Sequence, residues 1–145
     1  MITTSTLRRV PVNYTALAEF RYEIRRFLRF SEEAARTAGL EPQQHQLLLA
    51  LKGARPGVVP SIRWLAERLQ VQHHSVVGLV DRLMERGMVR RYRDPTDLRR
   101  ALVSLTGAGE SVLEELSKFH QEELRERAKP LVAAMAAIVR GTRGY

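Results

Sequence analysis

Residues 61–106 read SIRWLAERLQVQHHSVVGLVDRLMERGMVRRYRDPTDLRRALVSLT. Leu65, Ala66 and Leu69 recur at helical spacing, and so do Val76, Val80 and Leu83. This pattern places two short amphipathic helices either side of a corner near Val71. Gly87 stops the second helix in the position that a left-handed C-terminal cap takes. Two extended runs follow, about 88–93 and 101–105. They are joined through Asp94-Pro95-Thr96-Asp97, where Pro and Asp stand in places that turns favour. Helix, turn, helix and β-hairpin make a winged helix-turn-helix, an arrangement that presents its second helix to the DNA major groove.

The charge suits that use. Between Arg82 and Arg100 lie seven arginines (Arg82, Arg86, Arg90, Arg91, Arg93, Arg99 and Arg100) against three acids (Glu85, Asp94 and Asp97), and residues 61–106 contain no lysine. Arginine presents a planar fork that grips phosphate oxygens in pairs and fits a narrow minor groove. On the second helix, Gln72, His73, His74, Ser75, Gly78 and Arg82 form the outward side, where Gln, His and Arg can bond base edges or phosphates. This is preferred over a merely solvated helix start. Gly78 costs about 1 kcal/mol relative to alanine in mid-helix but permits close approach to DNA. On the hairpin, Asp97 and Arg99 are placed to brace the wing by an ion pair, leaving Arg91, Arg93 or Arg100 for phosphate and minor groove, and Arg99 counts with them among the DNA-binding candidates.

The run VDRLMERGMVRR-x-RDPTDLRR-x-LVSLTGAGE resembles the core of the MarR family of winged helix-turn-helix transcriptional regulators. The matching positions include Asp81, Arg82, Leu83, Gly87, Val89, Arg91, Pro95, Asp97, Arg99, Arg100, Val103, Leu105, Thr106 and Gly109, with Pro42, Leu65, Ala66 and Leu69 upstream. The resemblance implies a dimeric DNA-binding regulator, usually a repressor and often released by a small ligand, whose first and last helices interlock across a two-fold axis. Three departures fall at helix ends. Trp64 stands where a Glu often completes a capping box with Ser61, Gln70 stands in a corner where Gly is common, and Glu41 precedes Pro42 where Thr is the usual cap.

Outside this core the chain reads as helices. From Asn13, a plausible N-cap, to about Ala38, apolar residues Leu17, Phe20, Ile24, Phe27, Leu28 and Ala35 recur at three- and four-residue steps. Glu23 is spaced to pair with Arg26. The aromatic content of this face exceeds what a small core needs, so part of it is expected to form a dimer surface. Pro42 opens a second helix ending near Gly53, and its run of leucines at 47–49 and 51 predicts burial on most sides. Thr106 caps a long helix whose stripe is Val112, Leu113, Leu116, Phe119 and Leu124, with His120 on the same stripe. Lys129-Pro130 is expected to break it. Leu131–Val139, nearly all apolar, then forms a last helix that wants a partner. The expected class is therefore mainly α with a small β-hairpin wing, one domain over residues 1–145. Residues 13–38 and 107–140 supply dimerisation helices, and 42–106 the DNA-binding core.

Composition bounds the function. The chain has 145 residues, a net charge of +8 and no cysteine. A basic chain of this size favours an anionic partner, and the absence of Cys excludes disulfides, thiolate metal sites and a thiol switch. No run approaches a membrane span and no leader is evident. A cytoplasmic, nucleoid-associated protein with no membrane partner is expected. Residues 1–12 read as a loose arm.

The nearest approach to a nucleophilic set, His73-His74 with Ser75 and Asp81, lies on the groove-facing helix, so no enzyme is expected. Glu41, His45 and His120 do not reproduce a metal-ligand pattern, and neither metal nor cofactor is expected. The resemblance implies an effector site near Phe27, His45, Trp64 and His120, suited to an aromatic organic anion. The expected function is a dimeric, sequence-specific repressor on a palindromic double-stranded DNA operator, relieved by such an effector. The rivals are a ligand-independent nucleoid-type or antisilencing DNA binder, and a protein- or small-molecule-binding module that keeps the fold without DNA.

Overall fold

The computed structural model describes residues 11–141, so the arm expected at residues 1–12 lies almost wholly outside them. The element order is α1 (Tyr14–Thr37), α2 (Pro42–Lys52), α3 (Ile62–Leu69), α4 (His73–Glu85), β1 (Val89–Arg93), β2 (Ala101–Leu105) and α5 (Gly107–Arg140). The chain divides into two compact units. One is residues 31–121, and the other joins residues up to 30 with those from 122 onward. The long helices α1 and α5 each contribute to both.

The starts of α1, α2, α3 and α5 are capped by side chains, whereas Gln72 at the start of α4 makes no side-chain cap bond. Asn13 Oδ1 accepts the Ala16 N–H at 3.0 Å, and Ser61 Oγ accepts that of Trp64 at 3.0 Å. Thr106 Oγ1 accepts the Gly109 N–H at 3.2 Å. At α2, where Glu41 replaces the usual threonine, Gln44 Oε1 reaches back to the Glu41 N–H at 3.0 Å. The corner between α3 and α4 is made by Gln70 in the left-handed region, φ 54° and ψ 45°. A side chain there costs about 1 kcal/mol or more. The Gln70 amide offsets part of this by donating to the Glu67 carbonyl at 2.8 Å. After α4 the turn needs a glycine: Gly87 has φ 70°, and the chain reverses into β1.

In the 31–121 unit, α2, α3, α4 and the wing close over one core. Leu40, Leu47, Leu48, Leu65, Val76, Leu79, Val80, Leu83 and Val103 are fully buried in it. The strands are antiparallel, with Val89 opposite Leu105, Arg91 opposite Val103 and Arg93 opposite Ala101. An isolated bridge pairs Ser61 with Leu102, and the Val103 N–H donates to the Pro60 carbonyl at 2.9 Å. The start of α3 is thereby fastened to β2. The leucine run of α2 is not buried on most sides: Leu47 and Leu48 face the core, while Leu49 is 43% exposed. Four residues cannot all point inward on a helix whose period is 3.6.

The other unit holds the first part of α1 and the last part of α5. Ala16 and Ala134 are buried, and the Arg127 guanidinium lies 4.4 Å over the Phe30 ring. Glu23 is buried with Arg26 at 3.6 Å. Leu17, Tyr22, Leu28, Val132, Met135 and Val139 stay exposed. The expected helix break at Lys129-Pro130 does not occur, because α5 runs unbroken through Pro130 to Arg140. A proline removes one backbone donor and crowds the preceding turn at a cost of about 3 kcal/mol. Here well-formed helix stands on both sides of it, and Lys129 pairs with Glu126 one turn back at 3.0 Å.

Candidate nucleic-acid interface

The outward face of α4 follows from which of its residues the core takes. Val76, Leu79, Val80 and Leu83 are inside. Gln72, His73, His74 and Arg82 are therefore exposed, with Ser75 and Gly78 half-exposed between them. A β-carbon on Gly78 would sit in ordinary contact with the Arg82 guanidinium at 3.6 Å. All six residues expected to face the groove lie on this surface.

The wing supplies the second part. Arg91, Arg93, Arg99 and Arg100 are all exposed. Between the wing, the start of α3 and the start of α4 lies an open cleft of about 690 Å³ lined by Ser61, Ile62, Arg63, His73, Val77, Arg91, Tyr92, Arg93, Arg99, Arg100 and Ala101. Five guanidinium groups and no carboxylate line it, so it can receive a string of negative charges. Arg63 and Tyr92 had no signal in the sequence. The Ser61–Leu102 bridge draws the α3 start to the wing, and that pairing lies far apart along the chain.

Several of these arginines are held by acids within the fold. Arg91 Nη1 lies 3.0 Å from Asp81 Oδ1 on α4, Arg82 lies 4.0 Å from Glu41, and Arg100 lies 3.8 Å from the buried Asp94. Arg86 donates to Gln44 Oε1 at 3.1 Å. Arg91 and Arg100 thus each begin from an intramolecular ion pair. The Arg91–Asp81 and Arg82–Glu41 pairs are exposed on both sides and worth little in water, so a phosphate can replace those carboxylates at small cost.

The turn at the wing tip is rigid for reasons visible in the sequence. Asp94 Oδ1 accepts from the Thr96 N–H at 2.9 Å and from its hydroxyl at 2.8 Å. These bonds, with the Arg100 charge nearby, hold the Asp94 carboxyl below its ordinary range. Asp97 accepts from the Arg99 side chain at 3.1 Å and from its backbone N–H at 3.2 Å, and its own pKa is lowered by those bonds. The Asp97–Arg99 brace therefore has the expected geometry. Asp97→Ala adds net positive charge, and unaided electrostatics would tighten DNA binding. The expected result is weaker binding, because the wing loses both Arg99 bonds. Titration of one duplex with both proteins checks the sign.

Of the residues expected near an effector, His45 and His120 come together, with ring centroids 5.2 Å apart. Both are buried, and His120 Nε2 lies 3.1 Å from Ser31 Oγ. Trp64 packs half-buried beside the core, with the Arg68 guanidinium 5.8 Å from its ring. Phe27 belongs to the other unit and is half-buried there. Among the described residues, no group of three or more His, Cys, Asp or Glu could hold a metal, and no helix is long and apolar enough to cross a membrane.

Burial lowers the pKa of both imidazoles, and for His45 the neighbouring His120 lowers it further. A base held below its ordinary value of about 6.5 binds protons less readily folded than unfolded. The stability it confers is complete above about pH 6.5 and is lost as pH falls below it. The melting temperature should therefore drop between about pH 7 and about pH 5.5, and a His45→Gln/His120→Gln variant should show a smaller drop. An equal drop in both proteins would exclude the pair as its source.

A sequence model of the MarR family matches residues 38–100. A protein of Thauera aromatica assigned to transcriptional regulation of the hcr operon is 29% identical over 106 residues, covering 73% of this chain. The chain spans 60% of the length of that curated relative. Among solved structures, a probable transcriptional regulator from Pseudomonas aeruginosa superposes with a TM-score of 0.62 at 30% identity, covering 77% of this chain and 80% of that one. CouR from Rhodococcus jostii RHA1, bound to p-coumaroyl-CoA, superposes with a TM-score of 0.59 at 28% identity, covering 68% of this chain and 67% of that one.

Proposed function

The chain belongs to the MarR family of winged helix-turn-helix transcriptional regulators, and on that premise we propose that it is a homodimeric repressor that binds a two-fold symmetric DNA site and is released by a small aromatic anion. The observation that carries the DNA half is the acid-free, five-arginine cleft beside the exposed face of α4. A recognition helix over base edges, with guanidinium groups along the adjoining backbone, divides the labour between sequence reading and phosphate grip. The dimer half is supported by the apolar side chains that α1 and α5 leave exposed in their own unit, from Leu17 and Leu28 to Val132 and Met135. Single exposed apolar residues are ordinary, but a set of them on two helices suits a partner surface. For the effector, the support is the buried polar pair His45–His120 and a relative that binds an acyl-CoA carrying an aromatic ring.

Selection from a random-sequence duplex pool tests the reading. The expected product is an inverted repeat with half-sites about one helical turn apart, bound by two protomers. Aromatic acids and their CoA thioesters should then release the protein from that duplex and change the fluorescence of Trp64, the only tryptophan. Recovery of no enriched sequence would overturn sequence-specific repression. Enrichment with no release by any such compound would remove the effector alone.

A further inference from the structure

The wing tip holds a side chain that neither the core nor the arginine grip uses. Leu98 is 71% exposed, and Pro95 beside it on the turn is also exposed. A lone exposed leucine needs no explanation, but this one is held in place. The Arg93 guanidinium lies 3.5 Å from the Leu98 carbonyl. The Arg100 N–H donates to the Asp97 carbonyl at 2.9 Å, and Asp97 fixes Arg99 from the other side. An apolar tip thus stands on a tied turn, with Arg93 bonded to its carbonyl and Arg99 and Arg100 following it along the chain.

A complementary surface must be apolar in its walls and anionic at both rims. The DNA minor groove has that form, with deoxyribose walls between two phosphate rails, and aliphatic side chains are used there by proteins that insert into it. We propose that Leu98 enters the minor groove flanking the recognition-helix contact and packs on the sugars there, while Arg93, Arg99 and Arg100 hold the rails. The inference rests on the DNA-binding reading above. Leu98 then adds affinity that depends on groove shape rather than on charge, and it favours flanks whose minor groove closes around it.

The test compares wild type, Leu98→Ala and Leu98→Met on a duplex selected by the wild-type protein, reading Kd against salt and a hydroxyl-radical footprint, which reports on minor-groove sugars. Leu98→Ala should bind about tenfold more weakly, the loss expected when part of a leucine's burial is removed, with an unchanged salt slope because no phosphate contact is lost. Its footprint should lose protection at the outer flanks and keep the centre of each half-site. Leu98→Met should stay close to wild type. All three should melt alike, since the side chain is exposed. Wild-type affinity and footprint in Leu98→Ala would overturn the inference and leave DNA binding intact. Failure of wild type to bind any duplex would overturn the DNA-binding reading itself.

Discussion

Replacing Gly109 by alanine should destabilise the protein by about 3 kcal/mol and lower its melting temperature by about 10 °C. Gly109 is buried in the first turn of α5, and a β-carbon there would be driven into the Met88 carbonyl group, with Leu105 Cδ2 at 3.4 Å on the other side. The obstacle is backbone, which cannot swing aside as a long side chain does. It is also backbone already engaged, since the Thr106 N–H donates to the Met88 carbonyl at 3.1 Å and the Thr106 hydroxyl to that of Gly87 at 2.6 Å. One small junction therefore sets the end of α4, the start of β1 and the start of α5. Forcing it open should also misplace the wing, so DNA affinity should fall with stability. Chemical unfolding of Gly109→Ala beside wild type decides it. A midpoint equal to wild type would mean that the junction has slack and does not fix the wing.

The second large effect is on binding. Arg93→Ala combined with Arg100→Ala should weaken binding to every duplex, selected or random, by about a hundredfold, as two charge-assisted contacts are lost. The salt slope should fall by roughly one unit for each phosphate contact removed. The fold should be little changed: Asp94, relieved of Arg100, keeps both bonds from Thr96. A loss confined to the selected duplex would place these arginines over bases instead of on the backbone.

What the sequence disclosed and what it hid divide along a physical line. The turn at Asp94–Asp97, the stop at Gly87 and the Ser61 and Thr106 caps are local devices, each complete within a few residues, and each was legible. The helical faces were legible for the same reason, since burial repeats every three to four residues. The Pro130 reading failed because a proline's cost is local while a helix's continuity belongs to its whole length. Arg63 and Tyr92 were invisible because the Ser61–Leu102 bridge, a tertiary event, brings α3 to the wing. The Arg91–Asp81 pair was hidden likewise: Gly87 reverses the chain, and the end of α4 then lies across from β1. The Leu98 tip went unread because apolar patterning looks inward, and this residue points out of the fold.

The central claim is that the outward face of α4 reads sequence while the wing holds backbone. Its most direct measurement is the Kd of His74→Ala, Ser75→Ala and Arg82→Ala on the selected duplex and on random duplex at matched salt. Each change should cost about 1–3 kcal/mol on the selected duplex and much less on random DNA. Equal losses on the two duplexes would contradict the account, because they would show that α4 touches only what all DNA shares.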